Sequence, residues 1–266
     1  MISICLSISG DQLERQVNMI EVVKWLSRQS FQDYEFIVVE QLTQYNKQPF
    51  WYNFLRKMIK LEECRNAIER LRYTVISDSL WCQPWVQNVA ARMSTTDTLL
   101  FTESDVVFAS SSYLEDLVNE FTRLKVPNLW GWNVHVNMGL DAVKYYREKH
   151  LEPPFDVDYV YHHHLNAPGN PLMCQKSFFF HLGGYSERLV GHCGCDVELA
   201  ARIFGMEGSK ESFKASKLHI KHKYFAFEGG WTDDYHFAMS KPSYVCELLR
   251  SVPFGDFHQR HPVVYR

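Results

Sequence analysis

The sequence predicts an α/β fold: a mostly parallel central sheet flanked by helices, in a single large domain spanning residues 1–266. Three observations lead there. Through the first 126 residues, short apolar runs of strand length alternate with amphipathic stretches of helical period. Each alternation reads as a βαβ unit, whose right-handed crossover makes neighbouring strands parallel. The 266 residues, 46% hydrophobic and 22% charged, are enough for a sizeable core and have an ordinary globular composition.

The elements follow in order. Residues 2–9 alternate as a strand does, and they lack the basic region and apolar core of a secretory signal. Nowhere do about 18 apolar residues run together, so no transmembrane helix is expected. The seven cysteines are odd in number and scattered, which fits reduced thiols. Together these features lead to the expectation of a cytoplasmic protein. Asp11-Gln12-Leu13-Glu14 reads as a capping box, after which Leu13, Val17, Ile20, Val23 and Leu26 share one helical face. Residues 34–39 are nearly all apolar, as in a strand covered on both faces. An amphipathic helix over about 51–70 leads to a strand at 72–76, then a helix at about 84–93 and a strand at 98–101. Ser112-Tyr113-Leu114-Glu115 opens a capped helix with Leu114, Leu117, Val118, Phe121 and Leu124 facing inward.

Past residue 128 the rhythm changes. The sequence predicts a strand over 130–136, a helix to about 150, and a Pro- and His-rich loop at 151–171. A strand over 173–182, a helix at about 195–204 and a short helix near 239–250 follow. Residues 1–126 are expected to bind nucleotide and residues 127–266 to bind an acceptor.

Ligands of an open parallel sheet bind outside the carboxyl ends of its strands. Glu40-Gln41 closes the second strand and Glu103-Ser104-Asp105 the fourth. Two acids around a spacer can hold a divalent cation that bridges the phosphates of a nucleotide, and hard oxygen ligands suit Mg²⁺ or Mn²⁺. Alone, the same triplet can simply solvate a turn. In 217–223, as a strand, His219, Lys221 and Lys223 share one face and His222 points the other way. One histidine would complete a metal site and the lysines would meet phosphate; an exposed edge strand guarded by lysines has the same pattern. Asp196 falls in the first turn of the expected helix at 195–204, where the dipole keeps a carboxylate ionised. That suits a general base for a sugar hydroxyl, and equally a first-turn acid with no other role.

The order of these pieces resembles the family 2 glycosyltransferases. The run from Ser27 through Gln29, Phe31, Asp33 and Glu35 into a strand is similar to that family's opening. Gln87-Asn88-Val89-Ala90-Ala91-Arg92 followed by Glu103-Ser104-Asp105 resembles its D-x-D segment. Gly183-Gly184-Tyr185-Ser186-Glu187 through Asp196 to Arg202 resembles a later segment shared with galactosyltransferase-like and polypeptide N-acetylgalactosaminyltransferase-like enzymes. His219 and His222 resemble the late metal-ligand region.

The resemblance spans residues 2 to about 224. It implies a GT-A fold and a metal-dependent inverting transfer of sugar from a nucleotide diphosphate, with a UDP-sugar as the expected donor. By its motifs Glu40 contacts the nucleoside, Glu103 reaches ribose or metal, Asp105 holds Mn²⁺ or Mg²⁺, and Asp196 is the catalytic base. Lys221 is expected on the diphosphate, His219 or His222 on the metal, and Gly184, Cys195 and Trp231 on the acceptor side. The acceptor class stays open among glycan, glycolipid, protein and modified nucleic acid. Three positions depart from the family pattern: Glu103 for the commoner Asp, Gln41 for a second acid, and Cys195 for the usual Glu before the base. Residues 225–231 are a candidate lid.

Other constellations are weaker. His162-His163-His164 alternate in direction and so suit one metal ion poorly. His192-Cys193-Gly194-Cys195 lacks the second cysteine pair a structural zinc site needs. Trp130, Trp132 and Trp231 are candidates for stacking on a sugar or base. The net charge of −3 offers no general attraction to polyanions. A nucleotidyltransferase would show a Gly-rich loop after the first strand, and Ser7-Ile8-Ser9-Gly10-Asp11 has none. A non-catalytic module binding a sugar nucleotide or glycan stays compatible with Cys195 and Glu103.

Overall fold

The computed structural model describes residues 1–108, 111–130, 134–138, 160–165, 170–190, 195–196, 198–199, 202–203, 244–248 and 264–265. The chain begins with β1 (Ile2–Ile8), α1 (Leu13–Arg28) and β2 (Tyr34–Leu42). Next come α2 (Trp51–Met58), a 3₁₀ turn (Glu62–Cys64), α3 (Arg65–Glu69), β3 (Leu71–Ser77), α4 (Gln83–Met93) and β4 (Thr98–Thr102). Then follow β5 (Val106–Phe108), α5 (Tyr113–Leu124), β6 (Asn128–Trp130), β7 (Val134–Met138), β8 (Val160–Leu165) and β9 (Leu172–Gln175). The last described elements are α6 (Lys176–His181), β10 (Leu189–Val190), β11 (Tyr244–Leu248) and β12 (Val264–Tyr265).

A six-stranded sheet runs in the order β3-β2-β1-β4-β9-β6. Its first four strands are parallel, while β9 is antiparallel to both β4 and β6. A second sheet has the order β5-β11-β7-β8, and β10 pairs with β12. Alternation along the strands divides the core. Ile2, Ile4, Leu6 and Ile8 of β1 join Val22, Val23 and Leu26 of α1 and Leu114 and Leu117 of α5 on one face. On the other, Cys5, Ile37, Val39, Leu99 and Phe101 pack with Val86 and Ala90 of α4 and with Phe179, Tyr185, Leu199 and Ile203. Among the described residues no helix is long and apolar enough to cross a membrane.

Several expectations are corrected. Gln12, not Asp11, is the N-cap of α1, and no side chain caps it. Gly10 turns with φ 76°, which brings the boundary one residue later. Leu13 is 69% exposed, and the buried apolar residues of α1 are Met19, Val22, Val23, Trp25 and Leu26. At α5 the inward face is as expected, but Ser112 Oγ donates to Asp116 (2.8 Å), and the free Leu114 N–H is capped from outside by Gln29 Oε1 (3.0 Å).

The helix expected over 51–70 is broken into α2, the 3₁₀ turn and α3. The strand expected over 173–182 ends at Gln175, opposite the first residue of β4, Thr98. Lys176 N–H then turns onto Asp97 O (2.8 Å) and the phenylalanines continue as α6. The strand expected over 130–136 is divided between β6 and β7, in different sheets. Residues 160–165 and 244–248, read as loop and helix, are strands of the second sheet. The helix to about 150, the strand at 217–223 and the segment 225–231 lie outside the described residues.

Candidate functional site

The strand order reverses at β1, with β2 on one side and β4 on the other, so the carboxyl ends of these three strands mark the topological switch point. At the end of β1, Ser9 Oγ donates to Gln41 O (2.8 Å) and Gly10 O accepts the Trp51 indole N–H (2.7 Å).

At the end of β2 the acid is hydrogen-bonded within the fold. Glu40 is fully buried, and its carboxylate accepts the N–H groups of Phe50 (3.0 Å) and Trp51 (3.0 Å) at the start of α2, together with the Tyr73 hydroxyl. Burial, and then this bond to Glu40, push the Tyr73 phenol upward, so it stays a donor. Glu40, expected to contact the nucleoside, caps the start of α2, where a helix leaves N–H groups that a buried carboxylate satisfies well. Gln41 fastens the next loop: its amide donates to Leu80 O (2.7 Å) and accepts from Cys82 N–H (2.9 Å).

At the end of β4, residues 103–105 form the turn by which the chain leaves the large sheet for β5 of the small one. Ser104 and Asp105 are buried and Glu103 is half-buried. Asn170 Nδ2 donates to Glu103 Oε1 (3.4 Å).

The Gly183-Gly184-Tyr185 segment closes α6, with Gly183 N–H on Phe180 O (3.0 Å) and Gly184 N–H on Phe179 O (2.9 Å). Gly184 is fixed as glycine twice, by φ 72° and because a Cβ would lie 2.6 Å from Asn88 Oδ1. The side on which that Cβ would point is thus filled by Asn88 and Phe179. Asn88, on α4, grips the loop: Oδ1 accepts Tyr185 N–H (2.9 Å), while Nδ2 donates to Tyr185 O (2.9 Å) and Glu187 Oε1 (2.8 Å). The Tyr185 ring meets Phe101 and Phe179 edge-on, with centroids 5.2 and 5.5 Å away.

Cys195, Asp196, Glu198, Leu199, Arg202 and Ile203 are all helical. Arg202 forks onto Glu198 (2.7 and 2.6 Å) and donates to Leu182 O (2.6 Å), tying this helical stretch to the glycine loop. Cys195 is buried against that core and Asp196 is half-buried. Burial, then the charges of Asp196 and Glu103, hold the Cys195 thiol well above its usual range, so it is neutral. Burial raises the Tyr185 phenol likewise, followed by Cys195, Cys174, Asp196 and Glu103. Glu103 and Asp196 thus both bear electrostatically on Tyr185 and Cys195.

Among the described residues no group of three or more His, Cys, Asp or Glu side chains is arranged to hold a metal ion. Glu103 and Asp105 supply two hard oxygen-bearing groups at one turn. That fits Mg²⁺ or Mn²⁺ taken together with substrate phosphates, since such ions use one or two carboxylates rather than a full protein cage. His219, His222, Lys221 and Trp231 lie outside the described residues. Reading the sequence missed Asn88 and Asn170 as site residues. The available signal was an amide on the apolar face of α4, since a buried amide must find partners.

No protein-family model matches this sequence, and no curated protein matches it. Solved structures do match in fold. Staphylococcus aureus TarS 1–349 aligns at 12% identity over 76% of this chain and 54% of that one, with a TM-score of 0.51. S. aureus TarS aligns at 11% identity over 76% of this chain and 33% of that one, TM-score 0.49. TarS 1–349 in complex with UDP-GlcNAc aligns at 10% identity over 76% and 52%, TM-score 0.48. The chain thus spans about half or less of the TarS chains it matches. Identity this low speaks for architecture alone: the chain has an α/β fold of the GT-A type.

Proposed function

We propose that this chain is a metal-dependent, inverting glycosyltransferase that moves a sugar from a nucleotide-diphosphate donor to an acceptor hydroxyl. In this reading it is akin to family 2 enzymes with a galactosyltransferase-like acceptor segment. Residues 1–126 hold the nucleotide and residues 127–266 the acceptor. The observation that carries the reading is a link across the fold: Asn170 joins Glu103 at the switch point to the buried Tyr185 of the glycine loop, and Arg202, near Asp196 in sequence, is tied to Leu182 of that same loop. An acid at the switch point and a second acid in the glycine-loop segment supply the pair that donor binding and acceptor activation require.

Asp196, half-buried and next to a neutral thiol, accepts the proton of the acceptor hydroxyl as it attacks the anomeric carbon. Glu103 and Asp105 offer oxygens to a divalent cation, which when bound offsets the charge of the departing diphosphate. The Asn88 grip keeps the loop beside Asp196 in one geometry, so the attack starts from a fixed position. His219, His222 and Lys221 are proposed as further contacts to metal and phosphate.

TarS 1–349 has been solved with UDP and with UDP-GlcNAc. That is a property of TarS, and it sets the first donors to try here. The test is a panel of nucleotide sugars with Mn²⁺, scored by thermal shift and by release of nucleoside diphosphate. A donor at 100 times its dissociation constant stabilises by about 2.7 kcal/mol. The expected result is stabilisation and slow hydrolysis with one donor, the hydrolysis abolished by EDTA. No stabilisation and no release with any donor contradicts the reading, and undiminished release in EDTA contradicts the metal.

A further inference from the structure

We infer that Asn170, itself held by Tyr185, is the positioning residue that fixes the Glu103 carboxylate at the switch point. The inference rests on reading Glu103 as an acid of the donor site. The last pair between β4 and β9 is Phe101 with Leu172. Glu103 and Asn170 lie just past the ends of those strands, two residues beyond that pair. The Asn170 amide bridges two side chains there: Nδ2 donates to Glu103 Oε1 and Oδ1 accepts the Tyr185 hydroxyl, both at 3.4 Å.

Only one orientation of the amide suits both neighbours. Turned over, its oxygen would face a carboxylate, which when ionised can only accept. Tyr185 is a firm anchor for this choice. It is 2% exposed, its ring packs on Phe101 and Phe179, and its backbone N–H and carbonyl are both taken by Asn88. Burial keeps its phenol protonated and able to donate. A line of contacts therefore runs from α4 through Asn88, Tyr185 and Asn170 to Glu103. Asn170 is well suited to its end, because an amide directs a carboxylate without neutralising it, as a lysine or arginine would. Both contacts, at 3.4 Å, stand at the long end of hydrogen-bond distance.

Two measurements on the full chain test the inference: crystal structures of wild type and Asn170→Ala, and calorimetric binding of UDP in Mn²⁺. Loss of an orienting partner behind a metal-site carboxylate typically costs about 10- to 100-fold in affinity. Asn170→Ala is expected to release the Glu103 carboxylate from its position and to weaken UDP binding by roughly that factor. Tyr185→Phe, which keeps the ring, is expected to lose less. The double variant is expected to be no weaker than Asn170→Ala alone, because Tyr185 acts through Asn170. An unmoved Glu103 carboxylate, or wild-type affinity in folded Asn170→Ala, overturns the inference, and additive losses overturn the part given to Tyr185. If Asn170→Ala does not fold, Tyr185→Phe decides by the same two readings. Wild-type protein that binds no UDP refutes the donor-site reading instead, and the crystallographic comparison still decides whether Asn170 holds Glu103.

Discussion

Replacing Gly184 by alanine tests the Asn88 grip on the glycine loop. Two costs arise from the geometry. The backbone sits at φ 72°, and a left-handed conformation costs a non-glycine residue about 1–2 kcal/mol. The new methyl would also lie 2.6 Å from Asn88 Oδ1 and 3.4 Å from a Phe179 ring carbon. Asn88 cannot give way without losing its bonds to both backbone groups of Tyr185, each worth about 1 kcal/mol and more if a buried partner is left unpaired. The sum is about 3–5 kcal/mol for Gly184→Ala.

Gly183 supplies the control. It has φ 89°, but among the described residues a Cβ there would meet only an Arg202 nitrogen at 4.0 Å, so Gly183→Ala should cost the strain of about 1–2 kcal/mol. The assay is urea unfolding of both variants, of Asn88→Ala, and of Gly184→Ala combined with Asn88→Ala. Removing the Asn88 amide removes the clash, so the double variant should be more stable than the two single costs predict. Equal costs at Gly183 and Gly184, or strict additivity in the double variant, would refute the grip.

Glu40→Ala should destabilise by about 2–4 kcal/mol, because two backbone N–H groups and the Tyr73 hydroxyl lose a charged acceptor. Urea unfolding measures it, and a loss under 1 kcal/mol would mean that Glu40 is not the cap described. A pH dependence follows from Glu35. Burial opposes its charge, but bonds from Ser3 (2.5 Å), Arg72 (2.7 Å) and Thr95 N–H (2.6 Å) outweigh that and hold its carboxyl below the usual range. A folded pKa below the unfolded one means this stabilisation is complete above the unfolded value, about 4.3, and is lost as pH falls through the folded value. Urea midpoints between pH 7 and pH 3 should therefore fall more steeply for wild type than for Glu35→Gln, and parallel curves would contradict it.

The parallel half of the large sheet was legible because its signals are local. Four strands and the helices between them announce themselves by period, and their alternation implies parallel strands, although not the order in which they pair. What was not legible depends on distant partners. The run from Phe178 to Phe180 has strand-like composition, yet the strand stops where β4 runs out at Thr98 and the phenylalanines turn into α6. Residues 244–248 are a strand only because β5 and β7 stand on either side. In the candidate site the acids at 40, 103, 105 and 196 were legible as types, but the bonds of Glu40 to the start of α2 were not. Asn88 and Asn170 were missed because each acts across the fold, on Tyr185 and Glu103, at separations no local pattern reveals.

The central claim, that Asp196 activates the acceptor in a sugar transfer, is tested most directly by Asp196→Asn. Donor hydrolysis and donor affinity should be measured on the same purified variant, with water as the acceptor. The amide cannot take the proton, and general base catalysis contributes about 10²–10⁴-fold, so hydrolysis should fall at least about a hundredfold while donor affinity stays that of wild type. Hydrolysis near the wild-type rate would remove Asp196 as the base, and a loss of donor binding would place it on the nucleotide instead.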